Sequence, residues 1–84
     1  MSQRVLWSTE ARADIRAIER DIAMRLLRAL SRLLKSGVGN VKQLEGFDPP
    51  LFRLRVGDWR LVYRRQGDDV IEIVRVRNRR EAYR

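Results

Sequence analysis

The chain contains no cysteine and no histidine, and these two absences exclude several classes of function. Without cysteine it can form neither a disulfide nor a cysteine-based metal site. Without histidine it lacks a Ser-His-Asp triad, a histidine general base and the usual ligand set of a zinc hydrolase. Carboxylates, tyrosine, lysine and arginine remain as groups that could transfer a proton.

Long hydrophobic runs are also missing, since none exceeds three residues. A transmembrane helix needs about 20 predominantly apolar residues, and residues 1–7 lack the apolar core of a signal peptide. We therefore expect no membrane association and a cytoplasmic location. A chain of 84 residues has the length of one small domain, which we expect to span residues 1–84.

Positive charge is in excess, with 19 Lys and Arg against 11 Asp and Glu and a formal net charge of +8. Only Lys35 and Lys42 are lysine, and all other cations are arginine. The planar guanidinium group matches the geometry of phosphate. The excess therefore predicts an anionic partner, either a nucleic acid or an acidic protein.

The N-terminal half predicts a strand followed by two helices. Residues 3–7 are short and apolar-leaning, and Ser8 can cap a helix that begins behind it. Between residues 9 and 36, apolar side chains recur every three or four positions, as on an amphipathic helix. This length exceeds that of a usual globular helix, so we expect a break near Arg20 and Asp21 and hence a helical hairpin.

The C-terminal half predicts antiparallel strands. Residues 37–50 are rich in Gly and Pro and are interpreted as a connector. From residue 51 the apolar pattern alternates with a period of two, and a turn at Gly57-Asp58 with Gly in first place suits a type II′ hairpin. Residues 70–76 are apolar on most of both faces, as expected for an inner strand.

The hairpin register separates an apolar face from a cationic one. Counting back from the turn sets Arg55 opposite Arg60, and the face that they share also carries Arg53 and Arg64. Like charges directly opposite each other destabilise a sheet, so this arrangement favours an anionic ligand. The alternative is a solvated face that Glu72 or Glu81 partly neutralises.

The aromatic residues divide into two groups. Five are predicted to lie in the core, because they fall on apolar faces or beside turns: Trp7, Phe47, Phe52, Trp59 and Tyr63. Tyr83 differs, since Arg79, Arg80 and Arg84 surround it in the sequence. Neighbouring cations favour the ionised phenol, which makes Tyr83 a candidate for proton transfer.

These motifs together resemble the RelE/ParE toxin superfamily, and most of all its RelE branch. Residues 51–63 are LFRLRVGDWRLVY, residues 70–76 are VIEIVRV and residues 79–84 are RREAYR. The KQLEG stretch at residues 42–46 and the helical hairpin also fit, so the resemblance covers essentially the whole chain.

The resemblance implies an α+β, RelE-like fold with one N-terminal strand, a helical hairpin, and a three- to four-stranded antiparallel meander with a basic concave face. It implies a toxin of a type II toxin-antitoxin system that cleaves mRNA in the ribosomal A site by attack of a 2′-OH on the adjacent phosphate. It implies neither metal nor cofactor. The expected partners are an acidic antitoxin, in a hetero-oligomer, and the mRNA and 16S rRNA of the ribosome.

The resemblance also assigns roles to residues. The catalytic set that it implies is Arg53, Arg55, Arg60, Arg79 and Tyr83. The further RNA contacts that we expect are Arg64, Arg77, Arg80 and Arg84. One departure is that many relatives have Gly-His where this chain has Arg77-Asn78.

Two other functions stay open. One is a ParE-like toxin that inhibits DNA gyrase by protein binding. An Arg/Tyr pair within residues 79–83 has a catalytic use in a nuclease but no obvious use in such a gyrase inhibitor. The other is a basic RNA-binding module without activity, which the replacement of Gly-His by Arg77-Asn78 would permit.

Overall fold

The computed structural model describes residues 4–80, which form one five-stranded sheet packed against two helices. The elements in chain order are β1 (Arg4–Trp7), α1 (Thr9–Ala17), α2 (Arg20–Ser36), β2 (Asn40–Leu44), β3 (Leu51–Val56), β4 (Trp59–Gln66) and β5 (Val70–Asn78). The strand order is β1-β5-β4-β3-β2, in which β2 to β5 form an antiparallel meander and β1 pairs in parallel with β5. The predicted α+β class is confirmed, and the meander has four strands.

The helical region breaks at Ile18 and Glu19, slightly before the predicted position. Ser8 caps α1, because its hydroxyl accepts a hydrogen bond from the N–H of Ala11 at 3.0 Å. The same hydroxyl donates to the carbonyl of Val74 at 2.7 Å, which fixes the start of α1 against β5. Within residues 4–80, neither helix has the length and apolar character needed to cross a membrane.

Strand β2 corrects the interpretation of residues 37–50 as a connector. Lys42 pairs with Arg53 and Val41 pairs with Leu54 across the β2–β3 ladder. The strand is short and lies between turn formers, so its alternation covers too few residues to stand out in the sequence.

Gly37 ends α2 in the left-handed conformation, with φ 72°, and its N–H donates to the carbonyl of Leu33 at 2.9 Å.

The β3–β4 hairpin has the predicted register. Arg55 lies opposite Arg60, and Val56 lies opposite Trp59. Gly57 has φ 61°, whereas no non-glycine residue in the described part of the chain has a positive φ. A type I′ turn needs positive φ at both central residues, so this geometry fits the predicted type II′ turn and excludes type I′.

The core lies between α2 and the meander, with contributions from α1 and β1. Its buried members are Ala11, Leu26, Leu30, Leu33, Leu54, Leu61, Tyr63, Ile71, Ile73 and Val76. Tyr63 stacks on Phe52 with ring centroids 5.6 Å apart. Trp7 and Trp59 pack against this core, as predicted.

Phe47 is the exception among the aromatic residues predicted to be buried. Its side chain is 52% exposed, so the prediction is wrong at this position. The physical reason is that Phe47 belongs to the β2–β3 loop and not to a strand, so its side chain does not fall on the apolar face of the sheet.

Candidate nucleic-acid-binding site

The sheet face turned away from the helices carries a concentration of basic side chains. We call it the cationic face and define it by Lys42, Arg53, Arg55, Arg60, Arg64, Arg75 and Arg77. Cross-strand partners share one side of a sheet, and the register of β2 to β5 places these residues on the same side in adjacent rows. The placement of Arg53, Arg55, Arg60 and Arg64 on one face therefore agrees with the sequence prediction.

One row of the cationic face consists of three arginines. Arg55 of β3 lies opposite Arg60 of β4, which in turn lies opposite Arg77 of β5. Strands in a sheet are about 4.8 Å apart, so the row spans about 10 Å. Like charges directly opposite destabilise a sheet by some tenths of a kcal/mol per pair. We call these three residues the arginine row.

The next row of the cationic face crosses all four strands of the meander. In the order β2, β3, β4 and β5 it consists of Lys42, Arg53, Val62 and Arg75. Lys42 is a candidate site residue that sequence reasoning missed, because residues 37–50 were read as a connector. The signal that could have found it is the alternation around Lys42, with Val41 and Gln43 on the opposite side of the strand.

Arg53 and Arg55 differ in how their guanidinium groups are held. The Nε of Arg55 donates to the carbonyl of Gly57 at 3.3 Å, which holds the side chain beside the turn. The Nη1 of Arg53 is buried and finds no hydrogen-bond acceptor in the part of the chain that the structure describes. A buried charged donor without an acceptor is costly. An anion bound here would supply the missing acceptor after a small side-chain movement.

Arg64 is compensated by an acid on the same face. Its Nε donates to Oε1 of Glu72 at 2.5 Å, and Nε2 of Gln66 donates to the same oxygen at 3.1 Å. The proposed neutralisation by Glu72 is therefore present at this position, and it makes Arg64 less available to an anionic ligand. Glu81, the other acid named for that role, lies outside residues 4–80.

Asp14 of α1 ties the helix to the cationic face. Arg75 donates to its carboxylate from Nε at 2.8 Å and from Nη2 at 3.2 Å, and the backbone N–H of Val76 donates to it at 2.9 Å. Burial alone would raise the pKa of Asp14. The hydrogen bonds from Arg75 and Val76, with the charges of Arg75 and Arg77, outweigh burial and hold this pKa below its ordinary value of 3.8. Asp14 therefore stays ionised at neutral pH.

Arg79 and Arg80 lie beside the end of the arginine row. The N–H of Arg79 donates to the carbonyl of Asp58 at 2.6 Å, and the N–H of Arg80 donates to Oδ1 of Asn78 at 3.0 Å. These four residues line a shallow open depression of about 360 Å³. Because Asn78 follows Arg77 on β5, the structure brings both candidate arginines of the sequence close to the row.

Groups for proton transfer are scarce among the described residues of this face. Tyr63 is a core residue: burial raises its pKa above the ordinary 10.0, and the charge and hydrogen bond of Arg65 oppose that rise only in part. Tyr83 and Arg84, both predicted site residues, lie outside residues 4–80. Within that range, no group of three or more acidic, His or Cys side chains is arranged to hold a metal ion.

The sequence model of one protein family matches residues 5–83 of the chain, and its description is ParE toxin of type II toxin-antitoxin system, parDE. The chain belongs to this family. It is therefore a toxin of a type II toxin-antitoxin system, within the RelE/ParE superfamily that the sequence resembles. No curated protein sequence matches this ParE-family toxin significantly.

Several solved structures similar to the toxin are toxin-antitoxin complexes. RelE of the RelE–RelB complex from Pyrococcus horikoshii is 27% identical over 94% of this chain and 97% of that chain, with a TM-score of 0.74. The RelBE2 complex from Mycobacterium tuberculosis gives 26% identity over 94% and 100%, with a TM-score of 0.77. The ParDE system of P. aeruginosa gives 16% identity over 92% and 96%, with a TM-score of 0.58. The predicted RelE-like fold is thereby confirmed.

Proposed function

We propose that this toxin is an endoribonuclease that cleaves mRNA in the A site of the ribosome. The observation that carries the proposal is the arginine row, with Arg79 beside its end. Three arginines in one row across the strands suit a ligand with closely spaced negative charges. A phosphodiester backbone is such a ligand.

The chemistry needs three contributions from the protein or the ribosome. The 2′-OH must lose its proton, the leaving 5′-oxygen must gain one, and the extra negative charge on the phosphorane must be stabilised. Arg53, Arg55, Arg60 and Arg79 are proposed to stabilise that charge. Tyr83 is proposed to transfer the proton. Alignment of the RNA by the ribosome can supply about 7 kcal/mol or more, so a modest set of acid and base groups suffices.

The proposed partners follow from charge and from the similar structures. The complexes from Pyrococcus horikoshii and Mycobacterium tuberculosis contain an antitoxin. We propose that an acidic antitoxin covers the cationic face of this toxin and forms a hetero-oligomer with it. Action on translating ribosomes would place the free toxin in the cytoplasm, with mRNA and 16S rRNA as its contacts.

Inhibition of DNA gyrase is the less supported alternative. The ParDE structure is less similar to this toxin than the two RelE structures, with a TM-score of 0.58 against 0.74 and 0.77. The arginine row also has a direct use in binding RNA phosphate. Gyrase inhibition is therefore treated as one outcome of the test below.

The test is induced expression in a bacterium, with primer extension on a message and a supercoiling assay on the same cells. The variants are Arg60→Gln and, as a matched control, Arg12→Gln on the exposed surface of α1. We expect cleavage within translated codons for wild type and control, and about 100-fold less for Arg60→Gln, because one transition-state donor is lost. Intact message with inhibited gyrase would favour the ParE-like alternative, and the absence of both effects would leave only a binding module.

A further inference from the structure

Strand β5 contains a β-bulge at Val74. Val62 of β4 pairs with Arg75, and the next residue of β4, Tyr63, pairs with Ile73, so this register leaves Val74 without a partner on β4. A bulge inserts one extra residue into a strand and bends it at that point. Bulges are frequent next to functional sites, where they redirect a side chain.

The bulge determines the side of the sheet on which the end of β5 presents its arginines. Ile71 and Ile73 are buried before the bulge and Val76 is buried after it. A strict period of two would continue from Ile73 to Arg75 and Arg77 and would turn both arginines into the core. With the bulge, both lie on the cationic face, and Arg77 completes the arginine row.

Ser8 holds the bulge through two hydrogen bonds. Its backbone N–H donates to the carbonyl of Ile73 at 3.0 Å, and its hydroxyl donates to the carbonyl of Val74 at 2.7 Å. Consecutive carbonyls of a regular strand point to opposite edges, whereas these two both point to Ser8. Ser8 therefore bonds the two carbonyls that the bulge brings to one edge of β5.

The position of Ser8 between β1 and α1 brings it to this edge. Strand β1 ends at its pairing with Ile73, and α1 begins directly behind Ser8. Farther along α1, the carboxylate of Asp14 accepts a hydrogen bond from the N–H of Val76 at 2.9 Å. Beyond Ile73, α1 thus replaces β1 as the hydrogen-bonding partner of β5.

Capping of α1 does not account for the whole geometry of the Ser8 side chain. An N-cap uses the side-chain oxygen as an acceptor, here for the N–H of Ala11 at 3.0 Å. The bond that the hydroxyl donates to Val74 has no part in capping. Because the extra residue of a bulge disrupts the ladder, a bond from outside the ladder fixes the direction of the residues that follow.

We propose that Ser8 is a positioning residue for RNA binding at the cationic face. It holds the bulge at Val74 and thereby the orientation of Arg77, which contacts the RNA. Ser8 is not a member of the cationic face, so its effect on binding passes through β5. The inference rests on the proposed function, since that proposal makes RNA the ligand of the arginine row.

The experiment is a double-mutant cycle on the full chain, freed of antitoxin. Fluorescence anisotropy measures binding of a single-stranded RNA oligonucleotide to wild type, Ser8→Ala, Arg77→Gln and the combined variant. We expect binding to weaken about fivefold for Ser8→Ala and about tenfold for Arg77→Gln. We expect the combination to lose no more than Arg77→Gln alone, because two residues that act through one contact are not additive.

The matched control is Ala13→Gly, which weakens α1 at an exposed position and removes no side-chain hydrogen bond. Urea titration verifies that Ser8→Ala and Ala13→Gly lower the stability to a similar extent. We expect Ala13→Gly to bind RNA as the wild type does. Ser8→Thr keeps the hydroxyl and should bind as the wild type does as well.

Equal RNA affinity of Ser8→Ala and Ala13→Gly would overturn the inference, and so would additive losses in the combined variant. Message cleavage on programmed ribosomes separates the inference from the proposed function. RNA binding that depends on Ser8, without cleavage by the wild type, would support the inference and remove the nuclease. Cleavage by the wild type, with Ser8→Ala equal to Ala13→Gly in binding, would do the reverse.

Discussion

Arg53 shows at the scale of one residue how the cationic face is arranged for a ligand. It lies opposite Lys42, and its buried Nη1 has no acceptor among residues 4–80. Each of these features costs folding free energy. A side chain selected for stability alone would be apolar or acidic here, so the cost is consistent with selection for binding.

Replacing Arg55 by threonine tests the same trade-off in the arginine row. Arg55→Thr removes the charge opposite Arg60 and introduces a good strand former. We expect the free energy of unfolding to rise by about 0.5 kcal/mol in urea titrations, while message cleavage falls at least tenfold. A loss of stability greater than about 1 kcal/mol would show that Arg55 is there for the fold.

Asp14 is the residue whose role is structural. Asp14→Ala removes the hydrogen bonds from Arg75 and Val76, and we expect a loss of about 2 kcal/mol in the free energy of unfolding. Asp14→Asn can keep the hydrogen bond from the Val76 N–H but loses the charge, so we expect a smaller loss in the free energy of unfolding, of about 1 kcal/mol. Chemical denaturation of both variants at pH 7 measures the two losses. A larger loss for Asp14→Asn than for Asp14→Ala would contradict the prediction.

The pH dependence of Asp14 follows from the direction of its pKa. Its pKa is lower in the folded chain than the ordinary 3.8, so the stabilisation is complete above about pH 5 and is lost as the pH falls through the folded-state pKa. The stability difference between wild type and Asp14→Asn should therefore be constant from pH 5 to 7 and shrink below pH 4. A difference that grows toward low pH would contradict this.

At the scale of elements, local signals were predictable and long-range ones were not. The Gly57 turn set the β3–β4 register, and with it the placement of Arg55 and Arg60, because a two-residue loop leaves one pairing. Strand β2 was missed because its five residues form a strand only through pairing with β3. The contact of Asp14 with Val76 joins residues 62 positions apart, and nothing in the local sequence predicts it.

Strand β2 therefore gives a prediction that the sequence alone did not. Lys42 shares the cationic face with Arg53, so Lys42→Gln should weaken binding of a single-stranded RNA oligonucleotide and reduce the salt slope by about 0.7. Fluorescence anisotropy over a KCl series measures both quantities. Arg16→Gln, on α1, is the matched control, and an equal effect of the two substitutions would show that Lys42 acts only through net charge.

At the scale of the whole molecule, the net charge is +8, and seven of the cationic side chains lie on the cationic face. The family match and the RelE structures establish the fold and the toxin class. The arginine row is a feature of this chain, and on it rests our proposal that the toxin acts on RNA. We predict that the message is the substrate and that its own 2′-OH is the nucleophile.

The most direct test of this claim uses purified ribosomes programmed with a short message in two forms. One form has ribose throughout, and the other has a single 2′-deoxy nucleotide at the site of cleavage. We predict that the toxin cleaves the first and leaves the second intact while binding both ribosomes equally. Cleavage of the deoxy message at the same site, or no cleavage of either message by toxin that has bound, would contradict the proposed mechanism.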